Sequence, residues 1–322
     1  AVDMNNKYIA SGSYDKTIRI WDKNSGECLR ILRGHTENIL DIKLKGNTLI
    51  SCSEDQTIKV WDISRGDMIK NIPCHNRKIS ALAINKNKLI SASWDHTINV
   101  WDMKNWNLIH TFEGHGDAVD CVDSKGNWVV SGDQANKIFV WDLEKKKKVR
   151  ELNGHSRTVM DVFLEGNILY SCSKDRSILL LDINTGNFIR RLYGHSDAVL
   201  SVFKQENCLA SASADSTIHI WDDNSLHSME ILEGHLDEVL AISITDGKLI
   251  STGKENILKI WDLERLEFDK EIFLPYSSWV WGLASEKSVA ITSSDRGTYY
   301  VIDLNTGNLI RRLEKHNGST YR

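Results

Sequence analysis

Proline is almost absent from this 322-residue chain, with Pro73 and Pro275 the only two. Nearly every backbone N–H is therefore able to join a hydrogen-bonded ladder. No apolar run approaches the roughly 18 residues that a bilayer-spanning helix needs, and no signal-peptide pattern opens the chain. Neither membrane insertion nor secretion is expected. The chain starts at Ala1-Val2-Asp3-Met4 without an initiator methionine, which suggests a piece cut from something longer. An excess of one charge is also lacking: 40 basic residues face 44 acidic ones, a formal net charge of −4. That balance speaks against generic nucleic-acid binding, which needs a basic face. Cys-x-x-Cys, zinc spacings, a glycine-rich phosphate loop, a nucleophile elbow and paired catalytic carboxylates are all missing. No cofactor or metal is expected. The six cysteines read as small buried thiols of a reducing, intracellular compartment, cytoplasmic or nuclear.

What the chain has is a beat. Trp21-Asp22, Trp61-Asp62, Trp101-Asp102, Trp141-Asp142, Leu181-Asp182, Trp221-Asp222 and Trp261-Asp262 recur every 40 residues, and Ile302-Asp303 follows one residue late. A unit of that size cannot bury a core alone and must lean on its neighbours, so residues 1–322 are expected to form a single domain.

The second unit shows how each is built. Residues 39–44 alternate apolar and polar, Gly46-Asn47 turns, and 49–53 form a second apolar strand. Glu54-Asp55-Gln56 turns into 57–61, Ser64-Arg65-Gly66 turns again, and 67–72 complete the unit. Four short antiparallel strands and no helix-period segment make a propeller blade. Asn24-Ser25-Gly26, Asn184-Thr185-Gly186 and Asn305-Thr306-Gly307 repeat one turn, where glycine supplies positive φ. Both prolines are expected in loops between a fourth strand and the next first strand.

A polar set recurs in the units: His35/Ser51/Asp55/Trp61, His75/Ser91/Asp95/Trp101 and His195/Ser211/Asp215/Trp221. These residue types suggest a catalytic triad, but repetition and burial argue for structure. The indole N–H donates to serine, the hydroxyl to one imidazole nitrogen, and the other imidazole N–H to the carboxylate. The set decays in places: Ala135 replaces the Asp in blade 4, Leu181 the Trp in blade 5 and Glu255 the Asp in blade 7. In blade 8, Tyr276, Arg296 and Ile302 stand at the His, Asp and Trp positions.

With Gly-His about 27 residues ahead of Trp-Asp (Gly34-His35, Gly114-His115, Gly154-His155, Gly194-His195, Gly234-His235), the chain resembles the WD40-repeat family over its whole length. It is most similar to the propellers of F-box/WD-repeat ubiquitin-ligase substrate receptors. The expected fold is all-β, a closed eight-bladed WD40 β-propeller. Repeat register gives blade 1 a first strand drawn from both chain ends, His316 to Arg322 meeting Ala1 to Asp3.

The resemblance also implies a partner-binding face, formed by the loops around the central channel. Carried over position by position, it holds Leu40, Met160, Leu200, Leu240, Trp281 and Tyr321 at first-strand openings. Tyr14, Trp94, Lys174 and Lys254 precede the turn Asp, and Trp279 joins Asn38, Lys78 and Glu238 in a third set. Aromatic and apolar side chains in a loop-lined depression make binding hot spots. The receptors that capture phosphorylated segments carry arginines at several of these places, and none stands there in this chain. The expected function is a non-enzymatic protein- or peptide-binding scaffold, with other subunits of a complex as further partners and neither nucleic acid nor membrane. The alternative is a ubiquitin-ligase substrate receptor, or a ubiquitin-binding propeller, that recognises a charged or modified ligand.

Overall fold

Period-two alternation becomes strands throughout. A computed structural model of the chain describes residues 1–205, 208–222, 228–275, 279–294 and 297–313. In the second repeat Ile39–Lys45, Thr48–Ser53, Thr57–Asp62 and Asp67–Pro73 form a four-stranded antiparallel sheet in sequence order. The same sheet is built eight times. Blades 1 to 8 open with Val2–Met4, Ile39–Lys45, Ile79–Asn85, Val119–Lys125, Val159–Glu165, Val199–Gln205, Val239–Thr245 and Val280–Glu286. These first strands touch one another in cyclic order around the centre, Val280–Glu286 meeting Val2–Met4. Second and third strands are buried, whereas the fourth strand, as in Asp67–Pro73, is exposed except where Ile72 points inward. Pro73 closes that outer strand opposite Thr57 rather than standing in the following loop, and an edge strand tolerates its missing donor. Among the described residues no helix is long and apolar enough to cross a membrane.

The blades pack face to face through apolar clusters shared between neighbours. Ile9 and Trp21 of blade 1 pack with Ile291, Tyr299, Val301 and Leu313 of blade 8, which closes the ring. The Tyr299 hydroxyl donates to the Gly12 carbonyl at 3.3 Å, and Lys23 reaches Glu286 at 2.7 Å. Of the first strand that the sequence assigns to both chain ends, Val2–Met4 supplies the N-terminal share, paired with Ser11, Ala10 and Ile9. His316, Tyr321 and the rest of 314–322 lie outside the described residues, as do Tyr276 and Arg296.

Two kinds of tie join consecutive blades. Near the channel, Asp3, Asp41 and Asp123 accept the backbone N–H of Leu44, Leu82 and Leu164 in the next blade, at 2.6, 2.9 and 2.8 Å. At the rim, a basic side chain on the fourth strand reaches the turn between the third and fourth strands of the next blade. Arg30 donates to Ser64 O at 3.1 Å, Arg150 to Ile183 O at 3.2 Å and Lys270 to Asn305 O at 2.9 Å. The glycines in those turns, Gly66, Gly186 and Gly307, have positive φ and lie under the basic side chains' stems. Arg311 lies over Gly26 in the same way and carries the pattern across the seam. The Asp of Trp-Asp holds these turns: Asp22 Oδ1 accepts from the N–H groups of Asn24 and Ser25 at 3.0 and 2.7 Å.

Candidate functional site

The loops that join second to third strands and fourth strands to the next first strand open on one face, and in blades 2 to 7 they rest on a polar set. His35 Nδ1–H donates to Asp55 at 2.7 Å, Ser51 bonds His35 Nε2 at 2.8 Å, and the Trp61 indole donates to Ser51 at 3.0 Å. In blade 3 the corresponding distances are 2.9, 2.9 and 3.1 Å for His75, Ser91, Asp95 and Trp101. In blade 6 they are 2.8, 2.8 and 2.9 Å for His195, Ser211, Asp215 and Trp221. The imidazoles and serines are buried, so the hydroxyl meets no substrate. Burial alone would push the carboxyls of Asp55, Asp95, Asp175 and Asp215 up. Hydrogen bonds from histidine, hydroxyl and backbone outweigh it and hold them well below the usual carboxylate range.

Blade 4 departs from the expectation that Ala135 empties its carboxylate position. Asp133, two residues earlier, takes the His115 Nδ1–H at 2.7 Å and is fully buried. Ser131 and Trp141 complete the set at 2.7 and 2.9 Å. In blade 7 Glu255 accepts from His235, so its longer side chain substitutes for the Asp. Leu181 leaves Ser171 without an indole donor while His155 keeps Asp175 at 3.0 Å and Ser171 at 2.9 Å. In blade 6 His219 lies 3.9 Å from His195, ring centroid to centroid, and burial, then the His195 charge, pushes it down to about 4. The cysteines are more varied than expected: Cys52, Cys121 and Cys172 are buried, Cys74 and Cys208 half-buried and Cys28 exposed. Burial pushes the Cys74 thiol up to about 12.

The extra methylene of Glu255 is matched by a lost side chain. Blade 7 has Gly253 where blades 2, 3, 5 and 6 have Ser53, Ser93, Ser173 and Ser213. A Cβ on Gly253 would stand 2.2 Å from the Glu238 carbonyl oxygen, which accepts the Lys254 N–H at 2.9 Å. Gly253→Ala is expected to destabilise the chain by about 1–3 kcal/mol. Gly253→Ser combined with Glu255→Asp, which rebuilds the common loop, is expected to recover most of it. Thermal unfolding of the single and double variants checks the coupling, and strictly additive losses would contradict it.

On the loop face itself, several of the sequence-predicted contact residues are engaged with one another. Trp94 donates its indole N–H to Asp120 at 2.9 Å, Gln134 reaches the same carboxylate at 3.0 Å, and Lys78 Nζ lies 3.4 Å from the Trp94 ring centroid. Lys78 also stands 3.8 Å from Glu54, which accepts from Asn38 at 2.9 Å. A polar chain thus runs Asn38–Glu54–Lys78–Trp94–Asp120–Gln134 across blades 2, 3 and 4. Lys254, placed by the repeat register just before the turn, is paired with Glu238 at 2.6 Å. Leu40 and Met160 are half-buried against the cores of their own blades, and Leu40 also lines a channel cavity of about 250 Å³ with Asp41, Lys43 and Asp161. Leu200, Leu240, Tyr14 and Trp281 are half-buried, Lys174 is exposed, and Tyr321 lies outside the described residues. Trp279 is 40% exposed, set edge-on to Trp281 at 5.6 Å and 74°, with Lys254 Nζ 5.5 Å from its ring centroid. The sequence reading missed Asp133 and the ties of Asp3, Asp41 and Asp123. A carboxylate where other blades carry serine was the available signal for Asp133.

Known proteins fit this geometry. The family model for the WD40 repeat (WD domain, G-beta repeat) matches residues 1–22, 26–62, 66–102, 106–142, 146–182, 186–222 and 226–262. Nuclear distribution protein PAC1 of Mycosarcoma maydis is 43% identical over 53 residues, 16% of this chain and 12% of that protein. F-box/WD repeat-containing protein sel-10 of Caenorhabditis elegans is 43% identical over 47 residues, 14% of this chain and 8% of that protein. The match therefore spans only a small part of each relative's length. Among solved structures, the computationally designed Ika8 protein superposes with a TM-score of 0.88 at 28% identity, covering 93% of this chain and 94% of that one. With the family model running from residue 1 to residue 262 and an eighth sheet of the same order beyond it, the chain belongs to the WD40-repeat family.

Proposed function

We propose that residues 1–322 form one protein- or peptide-binding propeller that holds its partner on the loop face without catalysis, inside the cell. WD40 propellers generally serve as protein-interaction scaffolds, binding other proteins or the subunits of a complex. The observation that carries the reading is the indole pair of blade 8. Trp279 keeps 40% of its surface open although Trp281 and Lys254 lie beside it, and a large aromatic at a loop-lined mouth is a strong anchor. Tyr14 and Leu40, on the two blades that follow around the ring, extend the anchor. Loss of such a side chain costs about 2 kcal/mol of binding, roughly thirtyfold in affinity.

The test is affinity capture from a cell extract with immobilised wild type, Trp279→Ala, Trp281→Ala and Lys174→Ala, compared by quantitative mass spectrometry. Thermal unfolding confirms that each bait is folded. Proteins held by the wild type and by Lys174→Ala are expected to be lost from both tryptophan variants. If they persist on the tryptophan variants and vanish with Lys174→Ala, the aromatic anchor is wrong.

That second outcome is the signature of the other reading, a ubiquitin-ligase substrate receptor that recognises a charged or modified group. One observation favours it. Lys174 is exposed together with Arg157 and Arg176 on the loops of blade 5, where the Lys174 N–H bonds Thr158 O at 3.1 Å. None of the three has an acidic partner within ion-pair distance among the described residues. Similarity to an F-box/WD repeat-containing protein points the same way.

A further inference from the structure

We propose that the groove between blades 6 and 7, on the face opposite the loop face, binds a tryptophan side chain flanked by arginine or lysine from a partner polypeptide. The groove has a volume of about 510 Å³, and Ile220, Ile244, Leu263 and Leu266 form its apolar walls. Buried in it, Gln205 Oε1 has no hydrogen-bond partner among the described residues. An amide oxygen left so is destabilising, and a donor carried by an apolar group relieves it. The exposed Asp246 and Glu264 stand at the edge of the groove, and neither has an ion-pair partner among the described residues.

The other blade junctions show what this one lacks. In blade 3, Trp106 occupies the repeat position of Leu266 and packs with Met103 on the core shared by blades 2 and 3. The cavity between blades 3 and 4 is polar instead, lined by Asn85, Lys86, Asn127 and Glu144. The fourth-strand position that carries Arg30, Lys70, His110, Arg150, Arg190, Lys270 and Arg311 elsewhere carries Glu230 in blade 6, ahead of the Leu266 turn. An indole and an adjacent guanidinium from outside the chain would supply both parts. The indole N–H would meet Gln205, and the cation would face Asp246 and Glu264.

The experiment is calorimetric titration of the whole chain with three blocked tripeptides, Arg-Trp-Arg, Arg-Ala-Arg and Glu-Trp-Glu. The first is expected to bind at least about tenfold more tightly than either control. Leu266→Trp, which fills the groove as Trp106 does in blade 3, and Gln205→Leu are each expected to weaken it by about tenfold. Trp106 holds φ 62° and Leu266 φ 55°, so indole is compatible with that turn. The exposed Glu230→Arg, which places there a basic residue like those of the other blades, provides a variant that leaves the core untouched and should weaken binding by a similar factor. Equal affinity for Arg-Ala-Arg would mean charge alone, and Arg-Trp-Arg binding unchanged by Leu266→Trp and Glu230→Arg would mean another site. Either result overturns the proposal.

Discussion

Asp133→Ala is expected to lower the unfolding free energy by about 3–5 kcal/mol, the usual loss when one member of a buried, hydrogen-bonded pair is removed. The carboxylate and the His115 side chain are both fully buried, 2.7 Å apart, and Asp133 Oδ1 also accepts the Lys137 N–H at 2.8 Å. Its removal leaves a buried imidazole N–H and a turn N–H unpaired together. Ala135→Asp in the same background places a carboxylate where Asp55 and Asp95 stand, and should restore most of the loss. Ala135→Asp alone, with Asp133 present, puts two carboxylates near one imidazole and should not stabilise. Differential scanning calorimetry of the three variants checks this. A change below about 1 kcal/mol for Asp133→Ala would show that His115 is held by the rest of blade 4.

Acid is expected to unfold the ring steeply. The folded-state pKa values of Asp55, Asp95, Asp175 and Asp215 are depressed, so their contribution is complete above the ordinary carboxylate pKa of about 3.9. It is lost as pH falls below that value, because the unfolded chain takes up protons that the folded one refuses. Asp3 and Asp123 act in the opposite sense, since burial raises their carboxyls. His219 opens a separate and earlier window. Its folded pKa is lowered from 6.5 to about 4, so between those values the unfolded chain binds the extra proton and stability falls as pH falls. His219→Phe copies blade 4, where Phe139 stacks on His115 at 4.2 Å. The variant's thermal midpoint should fall less steeply between pH 6.5 and about 4 and match the wild-type slope above, the remaining slope coming from groups such as His35 and His110, which burial also pushes down. Parallel curves across that range would remove His219 from the account.

The strands and the blade count were legible because period-two alternation and turn chemistry repeat in register, so each blade supports the reading of the next. The buried sets were legible for the same reason, except where a partner moved. Asp133 is hidden from the repeat register because it stands at the serine position, whereas the imidazole requires only an oxygen within reach. Asp133, the last residue of its strand, brings a carboxylate within 2.7 Å of His115 and supplies it. The loop face was the least legible part. Whether Lys254 is a free charge depends on Glu238, which lies sixteen residues away and meets it at 2.6 Å. Asn38 and Glu54 have the same spacing and meet at 2.9 Å, so the pairing had a signal in the register that a residue-by-residue inventory passes over.

The ties between blades have a consequence for how such a chain comes to exist. Those of Asp3, Asp41, Asp123, Arg30, Arg150 and Lys270 all run from a side chain of one blade to a backbone N–H or carbonyl of the next. Beyond the glycine that each rim tie passes over, a bond that ends on the main chain asks little of the side chains it meets. A unit could be duplicated, exchanged or allowed to diverge, and its predecessor would still grip it. These ties are directional and place few demands on sequence, which leaves the loops above them open to selection one blade at a time.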